Sequence, residues 1–272
     1  MQVLIKDKKD MKCSPDGFLK DYTWESHGQY DSLKFVDKET ECLSVQFSKV
    51  GQKSYDAFPN LKWIVVRQHG FDNVNLDECE TRGIGVVNTK PFAKPTADWI
   101  SDKLKPHDKV MFIGYGEIAK KVSHPWPAFI VKRDTPIGEI QRQLELHDTL
   151  VVSIPPEGNN HYIDDHILKH FQGKLISVSR ADVIDNDSLL RNIDNITEAH
   201  IDTLDSKNRD ELLNTKKVFY YNHTAFSFNF SYEKDKYYFD HLENVIKDCI
   251  ENDCKNYKPV LPRQEKVRLD FF

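Results

Sequence analysis

The sequence predicts an α/β protein made of two parallel-sheet units, and three observations carry that prediction. Short apolar runs recur along the chain with helical or loop-like stretches between them, the rhythm of a parallel sheet covered by helices. A buried-strand pattern at 110–113 runs directly into Gly114-Tyr115-Gly116-Glu117-Ile118-Ala119, a glycine turn that opens a helix. The 272 residues are enough for two modest domains, each with a core of its own.

In the first hundred residues the apolar runs fall at 3–5, 42–47, 61–66 and 84–87. Between the last two, a polar stretch begins at Asn75 and stops at Arg82 before Gly83, which predicts a short helix with a glycine C-cap. Residues 90–106 hold Pro91, Pro95 and Pro106 and a short helical piece at 97–104, so a domain boundary is placed there. From Val110 the alternation resumes. Strands are expected at 129–131, 150–154, 175–178, 197–201 and 218–221, and helices at 137–145, 164–170 and 185–191. After His223 the pattern turns aromatic and helical, with a long helix at 232–251 and a polar tail. Phe226, Phe228, Phe230 and Tyr232 are read as hinge or core packing, and Phe92 and Trp99 as core packing.

Composition narrows the function classes. The 38 basic and 43 acidic residues are interspersed and leave a formal charge of −5, which calls for neither nucleic acid nor an anionic membrane. The run Val3-Leu4-Ile5 is too short for a signal peptide, and no stretch approaches the roughly 18 apolar residues of a membrane span, so a cytoplasmic protein is expected. Five cysteines (Cys13, Cys42, Cys79, Cys249, Cys254) lack C-x-x-C spacing and predict reduced thiols, with no metal site and no disulfide framework.

The glycine turn points to a dinucleotide. Gly114 suits a tight turn, Gly116 would let the backbone approach a phosphate, and Ala119 would keep the following helix close to its strand. The N–H groups of that helix would face the anion. Asp134 lies 134 − 114 = 20 residues past the first glycine, near the roughly 20 expected of a carboxylate on the adenosine ribose; a strand-end Asp capping a turn is the plainer alternative. Asp134 favours NAD, whereas Lys132 and Arg133 could reach the 2′-phosphate of NADP; strand alternation should bring only one of those two to the pocket side.

Four stretches, in order, resemble the D-isomer-specific 2-hydroxyacid dehydrogenases. They are 59–76 continuing through 82–89, the Gly114 turn, the strand and Pro155-Pro156 loop at 147–156 leading to 174–185, and Tyr221-Asn222-His223-Thr224-Ala225. The resemblance implies a flavodoxin-like substrate domain (1–97, completed by 223–272), an inserted NAD(P)-binding Rossmann domain (98–222), and an active site in the cleft. It implies cofactor contacts from Gly114, Tyr115, Gly116, Glu117, Ile118, Arg133, Asp134, Ile154, Pro155 and Asp202, with NAD favoured and NADP possible. It implies a small 2-oxo or 2-hydroxy acid as substrate. Arg180 would hold the substrate carboxylate and polarise the carbonyl, His223 would be the general acid/base, and the backbone near His69 and Gly70 would complete the carboxylate site.

Three departures accompany the resemblance, and one is that Pro125 and Pro127 should stop the helix after the glycine turn early, leaving a looser cofactor seat. The family's histidine-pairing glutamate aligns with Lys207, which would lower the pKa of a neighbouring imidazole, and Asp205 is the first candidate to replace it as a catalytic acid. The family's long helix and dimerisation arm before the glycine turn are missing, which predicts a monomer or an atypical homodimer. A protein of this fold that binds a dinucleotide without turnover, as a sensor or scaffold, is the alternative function.

Overall fold

The structure is a computed structural model of the chain and describes residues 2–6, 14–27, 37–68, 70–89, 93–124, 127–156, 158–231 and 236–263. In chain order its strands are β1 (Gln2–Lys6), β2 (Thr23–His27), β3 (Thr40–Val45), β4 (Trp63–Val66), β5 (Gly85–Asn88), β6 (Val110–Ile113), β7 (Phe129–Val131), β8 (Thr149–Val152), β9 (Gly173–Ser177), β10 (Ile196–Ile201) and β11 (Val218–Tyr220). The α-helices are α1 (Gln52–Ala57), α2 (Leu76–Arg82), α3 (Ala93–Lys103), α4 (Ile137–Leu144), α5 (Asp165–Leu168), α6 (Asn186–Arg191), α7 (Arg209–Asn214) and α8 (Lys236–Asn252). The chain forms two compact units, Met1–Pro91 with Ser231–Phe272, and Phe92–Phe230.

The first unit is a parallel sheet in the order β2-β1-β3-β4-β5, the flavodoxin-like winding. One core packs Leu43, Val45, Tyr55, Phe58, Ile64, Val66 and Val86 together. The expected α2 forms between its two caps: the Asn75 side chain accepts from Glu78 N–H at 3.2 Å, and Gly83 takes the left-handed φ of 67° that a C-cap needs. In α8, Tyr238, Phe239, Leu242, Val245, Ile246 and Cys249 are buried at the spacing of one helix face. The tail beyond α8, which the sequence left unassigned, bridges β5 through Val86 and Leu261 and so covers an edge of the sheet. Strand β2 was not foreseen. Cys42, Cys79, Cys249 and Cys254 are free buried thiols, and Cys13 lies outside the described residues.

The second unit is a parallel sheet in the order β11-β10-β9-β8-β6-β7. Its strands wind as the first sheet's do, with one more at the far end. A single strand, β7, stands outside β6, and the chain passes from β7 directly into α4 and back to β8. The sequence boundaries at 97/98 and 222/223 move outward to 91/92 and 230/231. The reason is packing: Trp99 and Ile100 of α3 share a core with Val110, Phe112, Ala225 and Phe228, so both flanks of the predicted domain belong to it. Helix α3 also starts earlier than predicted, with Pro95 in its first turn, where a missing N–H is tolerated.

Two features of this unit carry testable consequences. Gly173 opens β9 at φ 153°, and a Cβ there would lie 2.0 Å from the carbonyl oxygen of Asp148. Gly173→Ala should therefore destabilise the protein by about 3 kcal/mol in denaturant titration. Buried Lys174 in β9 places its ammonium 2.8 Å from the Lys103 carbonyl oxygen, 2.9 Å from Asp108 Oδ2 and 3.5 Å from Glu198 Oε1. Burial pushes the Asp108 carboxyl up, but the Lys105 N–H and the Lys174 ammonium outweigh it and hold it below its ordinary value of 3.8. A depressed carboxyl contributes stability above its unfolded value and loses it as pH falls through the folded one. Asp108→Asn should thus cost about 1–3 kcal/mol near pH 7, a deficit that shrinks as the pH drops below about 4.

Candidate active site

Three adjacent strands of the second unit end beside one another, and each delivers one side chain just past its carboxyl end: Arg180 after β9, Asp202 after β10, His223 after β11. That edge is where open α/β sheets bind ligands. The side chains form a chain of contacts. Arg180 Nη1 lies 3.0 Å from His223 Nε2, and His223 Nδ1 lies 2.8 Å from Asp202 Oδ2. The second carboxylate oxygen of Asp202 accepts from the Ala225 N–H at 2.8 Å, and the His223 N–H donates to the Asp202 carbonyl oxygen at 2.6 Å. Asp202 is 2% exposed, whereas the His223 side chain remains 42% exposed. Phe226 sets its ring 5.5 Å from the imidazole.

A guanidinium can only donate, so Nε2 of His223 is the acceptor in this arrangement and the ring proton sits on Nδ1, directed at Asp202. The backbone beneath is strained. Asn222 (φ 50°) and His223 (φ 56°) are two successive non-glycine residues in the left-handed region.

Asp205 is not the carboxylate at His223. It is exposed, accepts from the Lys207 N–H at 2.8 Å in a local turn, and that N–H is the first cause holding its carboxyl below the usual range. Lys207 sends its ammonium to Asp187 Oδ2 at 2.6 Å instead of toward the histidine. The carboxylate on the imidazole belongs to Asp202, which the resemblance had assigned to the cofactor. The signal that could have found it is register: Ile201 pairs with Tyr220, which sets residue 202 beside the start of the histidine loop.

Gly114 ends β6 at φ 90°, and a Cβ there would lie 2.6 Å from both Ser153 O and Ile154 Cγ2, so only glycine fits. Its carbonyl accepts from Ser153 Oγ at 3.0 Å. Gly116 faces open space. The helix after the turn is short, as the sequence predicts: it is a single 3₁₀ turn, Ala119–Lys121, in which the Lys120 N–H donates to Gly116 O and the Lys121 N–H to Ile118 O. It stops where Val122 takes an extended backbone conformation. Tyr115 is exposed and edge-on to Phe112, Glu117 is exposed near Lys120, and Ile118 packs beside buried Ala119.

Strand β7 ends at Val131, so strand alternation does not sort Lys132 from Arg133. Both lie exposed with Asp134 in the following turn, which Thr135 ties back to Lys132. Past β8, the Ile154 N–H donates to buried Ser179 Oγ at 3.0 Å, and Pro155 O accepts from Asn159. Gly70 sits half-buried in the first unit, in a loop braced by Asn73, which donates to Ser48 O and Gln46 O. His69 and Phe92 lie outside the described residues. Among the described residues no cluster of His, Cys, Asp and Glu could hold a metal ion, and no helix is long and apolar enough to cross a membrane.

The family model for the D-isomer specific 2-hydroxyacid dehydrogenase, catalytic domain, matches residues 11–214. Solved structures of the same fold include the NADPH-dependent glyoxylate/hydroxypyruvate reductase of Sinorhizobium meliloti, in complex with NADP and malonate (15% identity, TM-score 0.70, covering 98% of this chain and 99% of that one). They also include the D-lactate dehydrogenase of Aquifex aeolicus, complexed with NAD and lactic acid (18% identity, TM-score 0.66, 92% and 96%). A third is the 3-phosphoglycerate dehydrogenase of Entamoeba histolytica with bound NAD+ (13% identity, TM-score 0.74, 98% and 99%). No curated protein sequence matches. The family match spans well over half of the chain, which therefore belongs to the D-isomer specific 2-hydroxyacid dehydrogenases.

Proposed function

We propose that this chain reduces a small 2-oxo acid to the 2-hydroxy acid of D configuration, with NADH or NADPH as the hydride donor. The observation that carries this reading is the Arg180–His223–Asp202 series at three adjoining strand ends, with contacts of 3.0 and 2.8 Å. It joins a carboxylate-binding cation to a proton carrier and to the carboxylate that orients it.

The residues fit a dinucleotide. Gly114 makes a turn that no Cβ could enter, Gly116 leaves open space before it, and the turn lies where the sheet winding reverses between β6 and β8. Gly114 to Ile118, with Ile154 and Pro155, would hold the cofactor, and Asp134 would take the ribose of NAD. Lys132 and Arg133, exposed in the same turn, make NADP a workable second cofactor. When bound, the dinucleotide supplies a hydride to the substrate carbonyl carbon.

The remaining work belongs to the side chains. A substrate carboxylate is a better partner for the Arg180 fork than an imidazole nitrogen, so substrate binding releases Nε2 of His223. That nitrogen then carries the proton delivered to the carbonyl oxygen. Asp202 keeps Nδ1–H in place and balances the positive charge that forms on the ring, the role of the buried acid in other acid–histidine pairs. Lys207, standing at the family's glutamate position, favours the sensor reading. The Asp202 carboxylate at 2.8 Å weighs against it, because it restores a histidine partner from another position. The short connection of residues 104–109 between α3 and β6 supports a monomer or a dimer of unusual contact.

Oxidation of NADH and NADPH against glyoxylate, hydroxypyruvate, pyruvate and phenylpyruvate tests the reading. His223→Ala should lower kcat by at least about 100-fold with cofactor affinity retained, and Asp202→Asn by roughly 10- to 100-fold, while Asp205→Asn stays within about twofold. Arg180→Lys should raise KM for the oxo acid by about tenfold, since an ammonium cannot reproduce the planar fork. Absence of turnover by the unaltered protein, with cofactor binding intact, would leave the sensor as the better account.

A further inference from the structure

We infer that Lys103 is a positioning residue for His223, acting by clamping the loop that carries the imidazole. The inference rests on the reading of His223 given above. Lysine at a helix end ordinarily keeps its ammonium in water. Lys103 ends α3 with a side chain only 9% exposed, its Nζ lying 4.6 Å from the ring centre of Trp99, 5.2 Å from Tyr221 and 5.6 Å from Phe228. A largely desolvated ammonium facing three rings is held by their negative faces. Asp102 Oδ2 pairs with the ammonium at 3.0 Å.

Two of those rings flank the histidine loop, Tyr221 before His223 and Phe228 after it. Tyr221 is fixed further by Trp99, edge-on at 4.9 Å, and by a 2.8 Å contact between its hydroxyl and His200 Nδ1. Burial pushes His200 below its ordinary value, against the pull of Glu198 at 3.5 Å from its Nε2. The cage is also anchored from behind, because the Lys103 carbonyl accepts from Lys174, itself paired with Asp108. Successive left-handed residues such as Asn222 and His223 persist only where their surroundings over-determine them. Asp202 secures the loop from inside through His223 and Ala225. Lys103 secures its two flanks.

The experiment is Lys103→Met, which keeps the aliphatic stem and removes the charge, alongside Lys103→Arg, which restores a cation able to stack on aromatic rings. The methionine variant should lose kcat on the order of tenfold, with KM for the oxo acid and cofactor affinity within about twofold. The arginine variant should recover most of that loss. Amide exchange at Ala225 should rise on the order of tenfold in the methionine variant, with Val151 and Ile176 in the sheet unchanged. An unchanged Ala225 amide, or a uniform rise through the whole unit, would overturn the clamp. If the unaltered protein turns over no oxo acid, the reading of the reaction fails separately, and the exchange comparison alone decides the clamp.

Discussion

The Asp202 carboxylate ties together two strand ends and holds a histidine in a strained backbone. One oxygen takes the imidazole Nδ1–H, the other takes the Ala225 N–H, and the residue's own carbonyl receives the His223 N–H. Nearly buried and fully engaged, this carboxylate sets both the ring proton and the path of the loop. Arg180 is then placed by β9, the neighbouring strand, so that strand register brings the whole series together.

A site of this kind depends on a stiff frame. The second unit supplies one by covering its parallel sheet with α3 and the loop after β11, joined through the Trp99, Phe112 and Ala225 core. The glycine turn after β6 is built more sparingly. Gly114 is dictated by the Ser153 and Ile154 backbone and side chain it faces, but the segment behind it is a single 3₁₀ turn, and one strand stands outside β6. A dinucleotide held as proposed would draw on backbone shape and on residues past β7 and β8 more than on a helix dipole, which fades within a turn.

Much of this was legible in the sequence. Apolar runs located the strands of the second sheet, Asn75 and Gly83 bounded α2, and the positions of Gly114, Arg180 and His223 followed from motif and order. What was missed needed three-dimensional information. Strand β2 has the mixed pattern Thr-Trp-Glu-Ser-His, without a contiguous apolar signal. The reach of α3 into the second unit depends on which core its apolar face meets. Choosing Asp202 over Asp205 required the register of β10 against β11, because both acids sit just past the same strand and only one faces the next strand's loop.

The most direct measurement of the central interaction is the ¹⁵N imidazole spectrum of His223 in the ligand-free protein, assigned by its loss in a His223→Gln variant. The account predicts a protonated Nδ1 and an unprotonated Nε2, the tautomer that Asp202 and Arg180 together impose. A ring protonated only on Nε2 would contradict it, since neither the carboxylate contact nor the guanidinium contact could then exist as described.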